Sequence, residues 1–141
     1  HVGRLDIDTS GLLLLTNDGE LANRLTHPSY EIRKTYVARL HGEVKPGVRR
    51  RLLAGIELED GPIAVDSFRL VDTYGDITTV EIVVHEGRNR LVRRMMEAVG
   101  YPVRELVRTG FGPISLDHLK QGTTRRVKGN ALTALYGAVG L

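Results

Sequence analysis

The 141 residues include no cysteine and no tryptophan. Without cysteine there is no disulfide framework and no thiolate zinc site, which fits a reducing, cytoplasmic setting. The five histidines are scattered and show no ligand spacing, so neither a metal nor another cofactor is expected. Two Phe and five Tyr leave few of the aromatic platforms that a carbohydrate-processing site uses. No apolar run reaches the roughly 18 residues of a membrane helix, and the first residues lack the charged and apolar regions of a signal peptide. Repeats and low-complexity segments are also absent.

What is present is ordinary globular material, with 41% hydrophobic and 26% charged residues in a length that suits one domain. A net charge of +3 says little until its distribution is considered. Six arginines, Arg88, Arg90, Arg93, Arg94, Arg104 and Arg108, face only Glu86, Glu97 and Glu105 over the same stretch. That local excess is of the kind that meets phosphates, and a solvated, salt-bridged helix face is the plainer alternative. The chain opens inside a dense motif with no leading strand or cap, as expected of a domain trimmed from a longer protein.

Leu12 to Thr16 is a continuous apolar run and reads as a buried strand. Asn17, Asp18 and Gly19 supply cap chemistry for a helix from Glu20 to Thr26, which His27 and Pro28 end. Alternation from Lys34 to Leu40 predicts a half-buried strand with Tyr36, Ala38 and Leu40 on one face. Pro46 to Ala54 reads as a short basic helix. Ile63 to Asp72 and Ile77 to His85 read as strands joined by a turn at Gly75. Helical spacing of Leu91, Val92, Met95, Met96 and Val99 predicts a helix over Asn89 to Val99, stopped by Gly100. A strand over Pro102 to Thr109 and a closing helix over Ala131 to Val139 complete the pattern. Strands and helices mix without a strict alternating rhythm, so an α+β domain on a mixed, largely antiparallel sheet with flanking helices is expected.

Asp6 and Asp8 stand two apart in DIDTSG. An extended segment would place both carboxylates on one face, as in a paired-carboxylate hydrolase, whereas a bend would leave one facing a cleft. A cap-and-turn role for both is equally compatible with the residues.

The run GRLDIDTSGLLLLTNDG resembles the signature of the bacterial pseudouridine synthases that act on 16S and 23S ribosomal RNA. Two further segments match that family in order. RKTYVARL is similar to its second motif, and EGRNRLVRRMMEAVGYPVRELVRTGFGPISL to its third. The resemblance implies the family's catalytic fold, with Asp6 as catalytic aspartate and Asp8 left as a turn or capping residue. It implies Tyr36 as the tyrosine beside the target base and Arg93 as the cation paired with Asp6. Arg4 matches an arginine that enters the RNA helix beside the extruded nucleotide. Lys34, Arg88, Asn89, Arg90, Arg94 and Arg108, within the same motifs, are expected RNA contacts. Leu91 departs from the Gln or His that many members carry there.

The implied activity is conversion of a uridine in ribosomal RNA to pseudouridine, with 23S slightly favoured over 16S. The glycosidic bond breaks, the base turns over and rejoins through C5, without redox change, cofactor or metal. A buried target base must first be flipped out of its stack. Asp6 adds to the ribose or removes a proton from it, and Tyr36 is the candidate acceptor for the C5 proton. Ribosomal RNA is the expected partner, and the protein is expected to be a monomer. Family members usually carry an N-terminal RNA-binding domain of the S4 type, which is not in this sequence. Two rival readings are a noncatalytic RNA-binding module and a glycoside hydrolase using Asp6 and Asp8.

Overall fold

The alternation over Lys34 to Leu40 marks the centre of the molecule. A computed structural model describes residues 1–141. Its strands are β1 (Ser10–Gly11), β2 (Lys34–His41), β3 (Ile56–Leu58), β4 (Gly61–Ile63), β5 (Ser67–Tyr74), β6 (Ile77–Val84), β7 (Val103–Phe111) and β8 (Ile114–Ser115). The helices are α1 (Gly19–Thr26), α2 (Pro46–Ala54), α3 (Leu91–Ala98) and α4 (Gly129–Gly137). The main sheet runs β1-β7-β2-β6-β5, with β8 also on β7, and β3 and β4 form a separate hairpin. Only the β1 to β7 pairing is parallel. This is the α+β architecture, with a largely antiparallel sheet, expected from the pattern of elements.

One face of the sheet carries Ala38, Leu40, Val80, Ile82, Val84 and Leu106, all buried. Against it pack Val48 and Leu52 of α2 and Leu91, Val92, Met95 and Met96 of α3, forming the larger core. Each such side chain removed from water contributes about 1.5–3 kcal/mol. Asp18 caps α1 by accepting a hydrogen bond from Leu21 N at 3.1 Å, so Leu21 and Leu25 turn inward. They meet Leu135 and Val139 near the C-terminus, together with Val2, Leu12, Leu14 and Phe111, in a second core.

Two expected strands are corrected. Leu12 to Thr16 does not form a buried sheet strand: only Ser10 and Gly11 pair with β7, and Val2 bridges Leu14. Leu12 and Leu14 turn inward while Leu13 and Leu15 are 40% and 68% exposed, because the segment is covered on one side only. Ile63 to Asp72 is not one strand either. Val65 N donates to Leu52 O at the end of α2, which pulls residues 64–66 out of line between β4 and β5. The β3 to β4 hairpin was not expected, although Asp60-Gly61 is a turn signal. Finally, α3 begins at Leu91 rather than Asn89, since Arg90 sits at φ 51° in the left-handed region.

Candidate active site

A cleft of about 460 Å³ opens at the seam between the two cores, with Leu91 and Leu106 of one and Leu25 and Phe111 of the other in its wall. Among its polar lining are Arg4, Asp6, Lys34, Tyr36, Arg93 and Arg108. Residues far apart in sequence converge here because β2 and β7 are neighbours and the N-terminal segment crosses their ends.

Local backbone chemistry settles how DIDTSG lies. Thr9 N donates to Asp6 O at 3.0 Å, closing a turn over Ile7 and Asp8 with Ile7 fully exposed at its tip. The bend separates the two carboxylates. Asp6 lines the cleft and makes no ion pair, whereas Asp8 does not line it. The shared-face arrangement of a paired-carboxylate hydrolase is thereby excluded for this backbone.

Asp8 is more than a turn residue, and the expected pairing of Arg93 with Asp6 is corrected. Arg93 Nε lies 3.3 Å from Asp8 Oδ2, too poorly aligned to hydrogen-bond, while Nη2 donates to the Asp8 carbonyl and Nη1 to Val103 O at 3.1 Å. Arg90 Nη1 adds a contact to the Asp8 carboxylate at 2.9 Å. The turn is the physical reason, since it aims Asp8 at the start of α3. Desolvation alone would raise the Asp8 carboxyl, but the hydrogen bond from Arg90 and the charge of Arg93 outweigh it and hold it below the usual range. Arg93 of α3 and Arg90 just before it thus brace the loop that presents Asp6.

Arg108 braces the other end of that loop. The side chain is 3% exposed, and it donates from Nε to Leu12 O at 3.0 Å and from Nη2 to Gly3 O at 2.8 Å. Its own carbonyl accepts from Leu12 N at 2.8 Å. A bulge explains the position: β2 residues Lys34, Thr35 and Tyr36 pair with Phe111, Gly110 and Arg108, skipping Thr109. Without the skip, Arg108 and Phe111 would point to opposite faces. With it, the guanidinium lies over the Phe111 ring at 5.1 Å, and Lys34 Nζ over the same ring at 5.6 Å.

Arg88 and Arg94 are turned to carboxylates. Arg94 grips Asp60 with two bonds of 3.0 Å, and Arg88 binds Glu86 at 2.8 Å and Asp60 at 3.2 Å. The Arg94 hydrogen bond is the chief cause that lowers the Asp60 carboxyl to about 2. Asn89 and Arg90 lie exposed on the rim with Arg4. Tyr36 is half-buried against the larger core, and its hydroxyl has no partner within the protein. No group of three His, Asp or Glu side chains is placed to hold a metal ion.

Residues 1–98 match the family described as RNA pseudouridylate synthase. The chain belongs to the RNA pseudouridine synthase family. An RNA pseudouridine synthase of Mycobacterium tuberculosis is 55% identical over 141 residues, 100% of this chain and 56% of that protein. The ribosomal large subunit pseudouridine synthase B of Bacillus subtilis is 48% identical over 128 residues, covering 89% and 52% of the two chains. A crystal structure of a pseudouridylate synthase superposes with TM-score 0.86 at 34% identity, over 94% of this chain and 57% of the other. The chain spans about half the length of the curated relatives it matches. Within this synthase fold, the roles of Asp8, Asp60 and Phe111 were missed by sequence reasoning. Phe111 lay in the GFGP stretch, but nothing in the residue order signals the bulge that turns it toward the cleft.

Proposed function

We propose that this chain carries the active site of an enzyme that converts a uridine of ribosomal RNA to pseudouridine, in the large-subunit RNA. The carrying observation is the unpaired Asp6 carboxylate, set in a cleft whose other polar groups are mainly cationic or phenolic. Large-subunit RNA is favoured by the likeness to the synthase B of Bacillus subtilis. An extruded uridine enters the cleft with Arg4 at its rim, and base flipping costs a few kcal/mol that cationic contacts offset. Asp6, free of any arginine, acts on the ribose to release the uracil and stays in reach for the second half of the reaction. Arg93, with Arg90, acts through Asp8 by fixing the turn that aims Asp6. Tyr36, which lines the cleft and whose hydroxyl has no partner within the protein, takes the C5 proton after the base has turned. The catalytic steps draw on the chain's own residues, the RNA partner meets the protein at the cleft, and cytoplasmic ribosomal RNA is the substrate.

The test is tritium release from large-subunit RNA labelled at uridine C5, with wild type and Asp6→Asn. Release by wild type and none by the variant is expected. Absence of release by the full-length wild-type protein on this RNA sinks the reading, and equal release by both removes Asp6 from the reaction.

A further inference from the structure

Most of the arginines near the cleft are neutralised within the protein: Arg88 by Glu86 and Asp60, Arg90 and Arg93 by Asp8, Arg94 by Asp60. The two sheltered cations inside it are not. Lys34 makes no hydrogen bond or ion pair within the protein, although burial, and then the charge of Arg108, lower its ammonium below the usual value. Arg108 commits Nε and Nη2 to the carbonyls of Leu12 and Gly3, which leaves Nη1 without an acceptor. Both cations lie against the Phe111 ring, Lys34 Nζ 5.6 Å and the Arg108 guanidinium carbon 5.1 Å from its centroid, and the bulge at Thr109 is what brings all three together.

Two like charges held side by side in a sheltered site, with no acid between them, destabilise one another and the fold. Such an arrangement is relieved by an anion that arrives from outside. We propose that Lys34 Nζ and Arg108 Nη1 together seat one backbone phosphate of the extruded nucleotide, fixing its ribose against Asp6. The inference rests on the RNA-modifying reading and adds to it a subsite for the phosphate. A phosphodiester fits better than the departing uracil, because it is anionic before, during and after the reaction and so relieves the pair throughout. Arginine supplies a directional N–H and lysine a mobile point charge, which together grasp two oxygens of one phosphate. Phe111 lines the same cleft and gives both cations an apolar ring to pack on.

Lys34 is the informative position, since Arg108 also holds the Asp6 loop. In the full-length protein, Lys34→Met and Lys34→Arg are compared with wild type by filter binding to a large-subunit RNA transcript over a range of salt. For Lys34→Met, the slope of log affinity against log salt is expected to fall by about 0.7–0.9, the loss of one phosphate contact. Affinity weakens several-fold, KM rises by more than kcat falls, and Lys34→Arg restores most of the slope. An unchanged slope and affinity overturns the proposal. So does a collapse of kcat with binding intact, which would put the ammonium at the uracil. The slope is read without turnover, so the expected slope change in Lys34→Met, beside a wild type that binds the RNA yet releases no tritium, refutes the isomerase reading alone.

Discussion

Arg90 Nη1 lies 2.9 Å from the Asp8 carboxylate, and this pair ties the turn presenting Asp6 to the residue that leads into α3. The residues are 82 positions apart, so the contact fixes a loop that local sequence alone leaves free. Arg90 reaches Asp8 from a left-handed backbone, a conformation that costs a non-glycine residue about 1–2 kcal/mol. Asp8→Ala should therefore retain the fold by circular dichroism and release tritium about 10- to 100-fold more slowly, the effect of misplacing a reacting group by about 1 Å. Wild-type turnover in Asp8→Ala would show that the brace has no bearing on Asp6.

Asp60 makes a second long-range tie, from the β3 to β4 hairpin to Arg94 and Arg88. Its carboxyl is lowered in the folded protein from 3.8 to about 2. A depressed folded value means that the stabilisation is present above about pH 3.8 and is lost as pH falls toward 2. Thermal midpoints of wild type and Asp60→Asn should differ at neutral pH, with the variant lower, and converge between pH 4 and 2. Parallel curves across that window would contradict the assignment.

Much of the fold was legible because its signals are local. Asp18 as the cap of α1, the inward set of Tyr36, Ala38 and Leu40, and the apolar stripe of α3 each follow from period and cap chemistry. Residues 12–16 misled because an apolar run does not say how many sides will be covered. Arg108 misled for another reason: arginine in a basic stretch suggests a surface contact, yet a one-residue bulge turns it inward to carbonyls nearly a hundred residues away. Similarly, Arg93 was expected on Asp6 by resemblance, and the turn at Ile7 and Asp8 delivers it to Asp8 instead. Periodicity carries no information on ties of that range.

Tyr36→Phe separates packing from chemistry. The ring packs against the larger core while the hydroxyl has no protein partner, so removing it leaves no buried group unsatisfied. The thermal midpoint should stay within a few degrees of wild type and RNA affinity should be nearly unchanged. If the hydroxyl takes up the C5 proton, tritium release should fall by about 10²-fold or more. Release at the wild-type rate would assign that proton transfer to another group.

Gly11 is where the Asp6 loop meets the sheet most closely. Its φ is +115°, and a Cβ there would stand 2.2 Å from Arg108 O and 2.7 Å from Arg108 N, both backbone atoms that cannot rotate away. Alanine at this position must push β1 off β7, breaking the Leu12 N to Arg108 O bond and shifting the carbonyl that Arg108 Nε holds. Strained backbone and lost pairing together should cost at least about 2 kcal/mol. Urea unfolding of Gly11→Ala is expected to show a lower midpoint with an unchanged slope, and turnover should fall further than stability explains, because the displaced segment carries Asp6. A variant of wild-type stability and rate would mean that this close approach does not position the aspartate.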